Sequence, residues 1–410
     1  MIDLALLREQ PEKIIKLLAI KEPSYDAHKL LQKDEQLRSL RSEAEELRHK
    51  KNQLAKQAQG GITPAIREES IAVGSQLKKV ETALEQCQVE FNELYLRCPN
   101  IPASDIPLGG KESNKVVKEA GSKPEFKFTP KNHVELGESL GWFDFAKAAK
   151  MAGSNFVLYK GDGVKLIYAL SMFMLKHNQE HGYNLILPPY LVNEESLTVA
   201  SNFPKFKDQV YATKEDPYFL IPTAEVSLTN LYRDHIFEAK ELPVNLTAWT
   251  SCFRREAGSY GATERGLIRI HQFEKAEIYT FCKPEDGEKE LNRIVACAEG
   301  LLQKLGLHYR VSLLAGQDCS FASAKTFDIE VWIPSQGYYE VSSCSNCTDF
   351  QARRGMIRYR EAVGEKTKLV YTLNGSSLAI PRLMVALMET YQQPDGTIRI
   401  PDVLKNYGVW

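Results

Sequence analysis

The sequence predicts an α+β protein in which an N-terminal antiparallel two-helix coiled-coil arm precedes a larger domain built on an antiparallel sheet. Apolar residues recur every three to four positions within the first hundred residues, which indicates long packed helices. Many short alternating segments follow, joined by loops of hairpin length. Strands that meet through hairpins rather than through crossover helices favour an antiparallel sheet.

The arm is predicted from two apolar-periodic segments, 37–58 and 73–94, of which the first is interrupted only by Lys51. Between them, residues 59–64 contain two glycines and a proline, which end one helix and begin the next. The two helices should therefore fold back on each other. About 30 residues per helix, at a rise of about 1.5 Å each, give an arm roughly 45 Å long.

Charge along the arm is uneven. Residues 47–67 contain no acid, whereas Arg48, Lys50, Lys51, Lys56 and Arg67 are basic. A solvated helix face is the simpler explanation of such a run, but a basic tip on a projecting arm also suits a phosphate backbone. Since the net charge of the chain is −1, any surface that binds nucleic acid must be local.

Composition points to a soluble globular protein of two or three domains, because 410 residues carry 43% hydrophobic and 26% charged residues. The amino terminus lacks a signal pattern, and the longest apolar block, 166–175, is too short to cross a bilayer, so a cytoplasmic protein without a membrane partner is expected. The eight cysteines are scattered and fit reduced thiols. Cys344 and Cys347 have metal-binding spacing, but without a second such pair a zinc site is disfavoured.

Domain boundaries follow from proline and glycine content. We predict a first domain at 1–100, a linker at 101–130 rich in these residues, and a second domain at 131–410. Within the second domain a helix is predicted at 164–181. Strands are predicted at 245–254, 267–281, 328–333 and 338–342.

One predicted hairpin, 253–281, concentrates charged and aromatic residues. Side chains two apart share a face of a strand, so Arg254 and Glu256 should point one way. The residues expected on the matching face of the return strand are His271, Phe273, Lys275 and Glu277. The hairpin could bind phosphate, or it could be an ordinary solvated hairpin. Neither a Gly-rich Walker loop nor a dinucleotide fingerprint occurs, so phosphate binding would depend on side chains.

Four further segments, 182–190, 220–225, 340–346 and 374–382, stand in a fixed order around this hairpin. Together with the hairpin and the arm, they make the whole chain resemble the seryl-tRNA synthetases, a family of class II aminoacyl-tRNA ligases. The resemblance implies a class II catalytic domain behind the arm. It also implies a reaction in which L-serine is activated with ATP and then joined to tRNA.

The resemblance assigns nucleotide contacts. It implies that Arg254 binds the α-phosphate of ATP, that Arg382 closes over the adenine and the γ-phosphate, and that Phe273 lies on the other face of the adenine. With Glu340, these two arginines are the implied catalytic residues. The implied ATP contacts also include Arg255, Glu256, Val341, Ser342 and Ser343.

The resemblance also implies that Glu340 and Ser343 hold Mg²⁺, which suits hard oxygen ligands. Residues three apart do not share a face of a strand, so a bulge or bend is expected between them. The residues implied to bind serine are Thr223, Ala224, Glu225, Glu277 and Ser376. A carboxylate that faces the serine hydroxyl would make alanine a poor substrate.

The implied partners are the tRNA for serine, with the tRNA for selenocysteine as a further candidate, and a second copy of the chain. The arm would grip the tRNA through Arg48, Lys50, Lys51 and Lys56. The segment ending at Pro189 would form the dimer interface, so that the arm serves tRNA bound to the other subunit. The glycine-containing loop 257–266 would meet the acceptor end of the tRNA.

Three residues depart from the common family pattern: Asn155 stands where arginine is usual, Ser377 where glycine is frequent, and Pro381 where glycine is common. Another class II ligase, such as a threonyl or prolyl enzyme, is the nearest alternative. A carrier-protein aminoacylating paralogue would normally lack the full arm. A non-catalytic RNA-binding paralogue is disfavoured because Arg254, Glu277, Glu340 and Arg382 are all present, and a purely structural coiled coil because most of the chain is not coiled coil.

Overall fold

The structure of the chain is a computed structural model that describes residues 1–257 and 266–407. Asp3–Pro99 form one compact unit, and a second unit begins at Asn100. The predicted tRNA-facing loop lies outside the described residues except at its two ends, so the prediction for Gly258 and Gly261 stays a prediction.

The first unit is helical. Its helices are α1 (Leu4–Glu9), α2 (Pro11–Lys21), α3 (Ala27–Ala58) and α4 (Pro64–Leu96). Asp26 caps α3 by accepting a hydrogen bond from the Lys29 amide, and Thr63 caps α4 in the same way with Pro64 at the first turn. Thr63 and Pro64 therefore start α4 directly after the glycine-containing turn.

Helices α3 and α4 pack antiparallel, as predicted. Ion pairs that join them run in opposite sequence directions: Lys33 pairs with Glu90, Arg48 with Glu81, and Lys50 with Glu69. The apolar seam between the helices is formed by Ala44, Leu47, Leu54, Val73, Leu77 and Val80. The coiled-coil arm therefore has the core that its periodicity indicates.

The second unit mixes helices and strands. Its helices are α5 (His133–Ser139), α6 (Phe145–Ala152), α7 (Asp162–Glu180), α8 (Glu194–Val199), α9 (Ala224–Asn230), α10 (Gly287–Lys304), α11 (Phe350–Gly355), α12 (Ile380–Tyr391) and α13 (Asp402–Lys405). Its strands are β1 (Lys115–Ala120), β2 (Asn184–Leu185), β3 (Leu191–Val192), β4 (Phe219–Leu220), β5 (Ile236–Glu238), β6 (Val244–Phe253), β7 (Gln272–Cys282), β8 (Tyr309–Leu313), β9 (Lys325–Ile333), β10 (Gly337–Asn346), β11 (Arg358–Arg360), β12 (Lys368–Leu369) and β13 (Tyr371–Ala379).

Within the described residues, eight strands form the main sheet in the order β1-β8-β9-β10-β13-β7-β6-β2. All neighbouring strands are antiparallel except β2, which runs parallel to β6. The predicted antiparallel sheet is confirmed. Strands β12, β11 and β5 form a smaller sheet, and β3 pairs with β4.

Two predictions about elements are wrong. The predicted linker 101–130 contains β1, which pairs with β8 at the edge of the main sheet. The segment Lys115–Ala120 is exposed at almost every position and lacks the alternation from which the other strands were predicted. The predicted strand 267–281 begins only at Gln272, because residues 266–269 form turns and bends. Gly266 adopts φ +77°, and an added Cβ would lie 2.2 Å from His133 Nε2, so glycine suits this position.

The two faces of β7 pack into different hydrophobic cores. Ala276 and Ile278 join the core beneath α7, α10 and α12, whereas Tyr279 and Phe281 join a second core that includes residues of α9 and α11. None of the helices among residues 1–257 and 266–407 combines the length and apolar character needed to span a bilayer.

Candidate active site

The site is built on the antiparallel pair β6 and β7, which pairs Cys252 with Phe273 and Ala248 with Glu277. Phe273, Lys275 and Glu277 occupy alternate positions of β7 and share its α9-side face, as predicted. The faces predicted for Arg254, Glu256 and His271 rest on strand geometry that the structure does not show. All three lie outside the strands, and Glu256 has a positive φ of 50°.

A cavity of about 520 Å³ lies over this face, a volume typical of small-molecule sites. The predicted residues that line it are Thr223, Glu225, Arg254, Glu256, Phe273, Glu340, Val341, Ser376 and Arg382. They come from the start of α9, the end of β6, β7, β10, β13 and α12. Segments far apart in sequence therefore converge on one volume.

Arg254 stands over the ring of Phe273, with Cζ 5.1 Å from the ring centroid. Its Nε donates to the Pro222 carbonyl at 3.3 Å, and its main-chain oxygen accepts from the His271 ring. These contacts hold the guanidinium over the cavity. Nearby, Glu256 pairs with Arg269 at 2.6 Å, which turns its carboxylate toward the end of the hairpin.

At the opposite end of the cavity, β10 departs from regular pairing between Glu340 and Ser342. The predicted bulge is therefore confirmed. Asp328 is the partner of Ser343 across β9 and β10, and one of its carboxylate oxygens, Oδ1, is buried without a hydrogen-bond partner among the described residues. Burial and the neighbouring Glu340 carboxylate raise the pKa of Asp328 well above its usual range.

Residues predicted to bind serine meet at the start of α9. Thr223 caps this helix, and its hydroxyl donates to Glu277 Oε2 at 3.3 Å. Lys275 forms an ion pair with Glu277 and donates to Thr223 Oγ1 at 2.7 Å. A threonine, a lysine and a glutamate thus form one buried polar group.

The carboxylate of Glu225 lies beside this group. Its Oε1 accepts from the amides of Gln351 at 2.7 Å and Asn374 at 3.1 Å. Burial and the proximity of Glu277 raise the pKa of Glu225 to about 7, although Gln351, Lys275 and Arg254 oppose the shift. A carboxyl group with this pKa is poised to change its charge near neutral pH.

The remaining predicted residues lie at the margin of the cavity or below it. Arg255 is exposed and its amide donates to the Gln209 carbonyl, whereas Ala224 is buried in α9. The hydroxyl of Ser342 donates to the Ser376 carbonyl at 2.5 Å, which ties β10 to β13. For Arg255, Ala224, Ser342 and Ser343, direct contact with a ligand stays a prediction.

Comparison with known families accounts for this arrangement. Residues 1–102 match the seryl-tRNA synthetase N-terminal domain, and residues 206–391 match the tRNA synthetase class II core domain of the G, H, P, S and T group. A serine–tRNA ligase of Dehalococcoides mccartyi is 44% identical over 99% of this chain and 98% of its own length. The chain belongs to the seryl-tRNA synthetase family.

Other seryl-tRNA synthetases match this chain over almost its whole length. A serine–tRNA ligase of Acidithiobacillus ferrooxidans is 45% identical, with 99% of this chain and 98% of that protein covered. A crystal structure of seryl-tRNA synthetase from Pyrococcus horikoshii complexed with ATP gives a TM-score of 0.92 at 33% identity, covering 99% of this chain and 98% of that one. The predicted family and fold class are confirmed.

The three departures from the common seryl-tRNA synthetase pattern have local explanations. Asn155 adopts a left-handed φ of 59°, which asparagine tolerates better than most residues, and its carbonyl accepts from the His271 amide. The Ser377 hydroxyl donates to Asn178 Oδ1 at 2.8 Å in the core, and Pro381 lies in the first turn of α12. The hydrogen bond of Ser377 and the helix-start position of Pro381 suit the residues that stand there.

The predicted tRNA residues of the arm fall into two pairs. Arg48 and Lys50 form ion pairs with Glu81 and Glu69 of α4. Lys51 and Lys56 are exposed. The sequence count of acids between residues 47 and 67 overstated the positive charge of the tip, because the facing helix supplies carboxylates from outside that window.

Sequence reasoning missed three residues of the site. Lys275 was expected on the same strand face as Phe273 and Glu277, but no role was assigned to it. Asp328 and Gln351 were not identified. Asp328 lies in a strand that was predicted, and its position across from Ser343 follows only from the register of β9 and β10. The register of β9 and β10 is therefore the signal that identifies Asp328.

Proposed function

We propose that this chain is a serine–tRNA ligase that activates L-serine with ATP to seryl-adenylate, releases pyrophosphate, and transfers serine to the 3′ end of tRNA(Ser). The observation that supports the proposal is one cavity lined by Arg254, Arg382 and Glu225, with Glu277 bonded to Thr223 of the same lining. Charging of the tRNA for selenocysteine is part of the same proposal.

In the first step, the serine carboxylate attacks the α-phosphorus, and pyrophosphate leaves. Negative charge spreads over the phosphorus in the transition state, so fixed cations nearby lower the barrier. Arg254 supplies a planar, permanently charged donor held by Pro222 and Phe273. Arg382 supplies a second one from the first turn of α12.

Adenine recognition depends on Phe273. Its ring offers a flat apolar face, and Arg254 already stacks on it in the absence of nucleotide. Glu256 and the exposed Arg255 belong to the same segment and are proposed to complete the nucleotide site. Arg382 lies 5.0 Å from the ring of Tyr339, an arrangement from which the guanidinium can move toward the purine.

Serine recognition needs groups for an ammonium and for a hydroxyl. Glu225 and Glu277 provide carboxylates, Thr223 provides a hydroxyl, and Ser376 lines the same cavity. Alanine would leave one of these buried polar groups unpaired, which by comparison with other sites of this kind costs up to about 10⁴-fold in kcat/KM.

The acidic residues around the bulge fit a Mg²⁺ ion. Glu340, Ser343 and Asp328 offer hard oxygen donors, and the buried Asp328 Oδ1 lacks a hydrogen-bond partner among the described residues. A bound Mg²⁺ would neutralise phosphate charge. Independently of the ion, Glu340 and Arg382 form an ion pair beside the bulge, and both line the cavity.

In the second step, the arm is proposed to bind tRNA through phosphate contacts. The exposed Lys51 and Lys56 are the strongest candidates, whereas Arg48 and Lys50 would first have to leave their glutamate partners. Reading shape through phosphates suits an arm with few base-specific groups. The protein is proposed to act in the cytoplasm.

A homodimer is proposed to form through α7 and the segment around Pro189. Apolar side chains are unusually exposed there, with Leu187 81% exposed. The others in this group are Tyr168, Met172, Leu185 and Leu191. A contiguous set of exposed large apolar residues is typical of an association surface.

The test is serine-dependent exchange of pyrophosphate into ATP by the pure protein with Mg²⁺. We expect exchange with L-serine and little with L-threonine or L-alanine. Equal exchange with all three amino acids, or none with serine, would overturn the proposal. Deleting residues 37–94 should spare exchange and sharply weaken tRNA charging, whereas equal loss of both would contradict the separate roles of the two units.

A further inference from the structure

Lys275 is a buried lysine at the amino-acid end of the cavity. Its side chain is 7% exposed and that of Glu277 is 2% exposed. The ammonium is held on two sides, by the Glu277 carboxylate and by the Thr223 hydroxyl at 2.7 Å. A desolvated ammonium is tolerated only with such partners, and these partners leave it little freedom to serve a ligand.

Glu225 is the second carboxylate of the same pocket and has different partners. Gln351 and Asn374 donate to it, but both are neutral amides. Among the described residues, Glu225 has no ion-pair partner. The charged groups that act on it are Glu277, which disfavours its ionised form, and Lys275 and Arg254, which favour it. Tyr279, whose hydroxyl lies on Gln351, contributes no charge because burial raises the pKa of the phenol well above its usual range.

Two carboxylates and one ammonium lie together at the start of α9, while the Arg254 guanidinium lines the same cavity. Lys275 is committed to Glu277, and the side-chain donors to Glu225 among the described residues are neutral amides. The ammonium of an amino acid can therefore pair with Glu225, and such a pair favours the ionised form of this carboxyl group.

We propose that Lys275 is a positioning residue of the serine site and that uptake of L-serine expels a proton from Glu225 to solvent. Lys275 occupies Glu277 and thereby directs the ammonium of the amino acid toward Glu225. This inference rests on the proposed function, because it takes L-serine as the ligand.

The pH dependence follows from the pKa of about 7 for Glu225. The carboxyl group should be mostly protonated at pH 6 and mostly ionised at pH 8, so serine binding should release close to one proton at pH 6 and little at pH 8. Since only the ionised form pairs with the ammonium, serine should bind roughly tenfold more weakly at pH 6 than at pH 8.

Isothermal titration of the full-length protein with L-serine, without ATP, measures both quantities. Titrations at each pH in two buffers that differ in ionisation enthalpy and that buffer at that pH, such as MES and Bis-Tris at pH 6, PIPES and imidazole at pH 7, and HEPES and Tris at pH 8, separate the heat of buffer ionisation and give the number of protons released. Leaving ATP out removes the titration of its phosphates. Glu225→Gln is the matched variant, and it should bind serine weakly without release of a proton.

Variants at Lys275 test its positioning role. Lys275→Met should raise the KM for serine about tenfold or more in the exchange reaction and leave the KM for ATP unchanged. It should also release more protons at pH 8 than the natural protein, because two carboxylates then face each other without the lysine. Lys275→Arg keeps the charge and should restore most of the natural pH profile.

Serine binding with no proton release at pH 6 and 7, in a protein that shows normal serine-dependent exchange, would overturn this inference alone. Absence of both binding and exchange at pH 8 would overturn the proposed function and this inference with it. If Lys275→Met does not fold, Lys275→Gln, which keeps a hydrogen-bond donor without the charge, takes its place. An unchanged KM for serine in that variant would overturn the positioning role, while the proton count of the natural protein tests the release from Glu225.

Discussion

Arg382 reaches from the first turn of α12 to Glu340 at the bulge of β10, where its Nη1 donates to the main-chain oxygen at 2.9 Å and lies 3.5 Å from the carboxylate Oε1. The two residues are proposed to bind opposite charges, Arg382 the γ-phosphate and Glu340 a cation. The ion pair partly neutralises both side chains. Nucleotide and metal, if bound at these two residues, would have to separate it.

Replacing Arg382 should damage activation more than ATP binding. Arg382→Ala removes a donor that is placed before the reaction, and the loss of one such donor typically costs about 10² to 10³ in kcat. Arg382→Lys should recover little, because a lysine lacks the planar fork. Pyrophosphate exchange at varied ATP gives kcat and KM separately. A change confined to KM would contradict this role.

Phe273 gives a second prediction about ATP. Stacking between a base and an aromatic ring is worth about 1 to 3 kcal/mol, so Phe273→Ala should raise the KM for ATP roughly 5- to 150-fold. Phe273→Tyr keeps the ring and is the matched control. The KM for serine should not follow, since Phe273 stands at the Arg254 end of the cavity. Equal loss with both variants would argue against stacking.

The sequence predicts the long helices, the antiparallel sheet and the main catalytic residues because periodicity and local motifs specify them. It does not predict the partners of those residues. One of the two partners that hold Lys275, Thr223, is 52 positions away in the chain. The position of Asp328 opposite Ser343 follows from the register of β9 and β10. The charges of Arg48 and Lys50 are partly neutralised because α4 folds back on α3 and supplies Glu81 and Glu69.

The metal prediction can be tested at Asp328. Asp328→Asn keeps the shape but removes a charge, so it should weaken Mn²⁺ binding about tenfold or more, as loss of residues around a metal commonly does. The binding of Mn²⁺ to the protein with ATP can be followed by electron paramagnetic resonance. Asp395→Asn, at an exposed turn acid that is not among the charges acting on Asp328, is the control. Unchanged Mn²⁺ affinity would exclude Asp328 from the site.

The stability of the base of the arm depends on Asp34. Its side chain is 4% exposed and forms ion pairs with Arg8 and Arg38. Burial alone would raise the pKa of Asp34, but hydrogen bonds and charge from Arg8, with a smaller contribution from Arg38, lower it overall. Its stabilising effect is therefore present above the unfolded pKa of about 3.9 and is lost as the pH falls through the lower folded pKa. Asp34→Ala should cost roughly 2 kcal/mol at neutral pH, discounted because Arg8 is partly exposed.

Two signals separate the arm from the second unit in that experiment. All four tryptophans lie beyond residue 100, so tryptophan fluorescence reports only the second unit, whereas far-UV circular dichroism includes the helices of the arm. Asp34→Ala should lower the midpoint of the helical transition and leave the fluorescence transition in place. A shift of both would show that the two units unfold together.

The arm lysines separate phosphate binding from ordinary surface charge. Lys51→Ala with Lys56→Ala removes two exposed cations from the tip, while Lys13→Ala with Lys16→Ala removes two exposed cations from α2 of the same unit. If the tip binds phosphates, the first double variant should weaken tRNA binding and lower the salt dependence of log K by about one for each lysine, whereas the second should change neither. Serine-dependent exchange should be normal in both. Arg48→Ala should weaken tRNA binding less than replacement of either tip lysine, because Arg48 must first give up its ion pair with Glu81 at 2.8 Å. A larger loss of tRNA binding in Arg48→Ala would place the tRNA backbone nearer the middle of the arm than the tip.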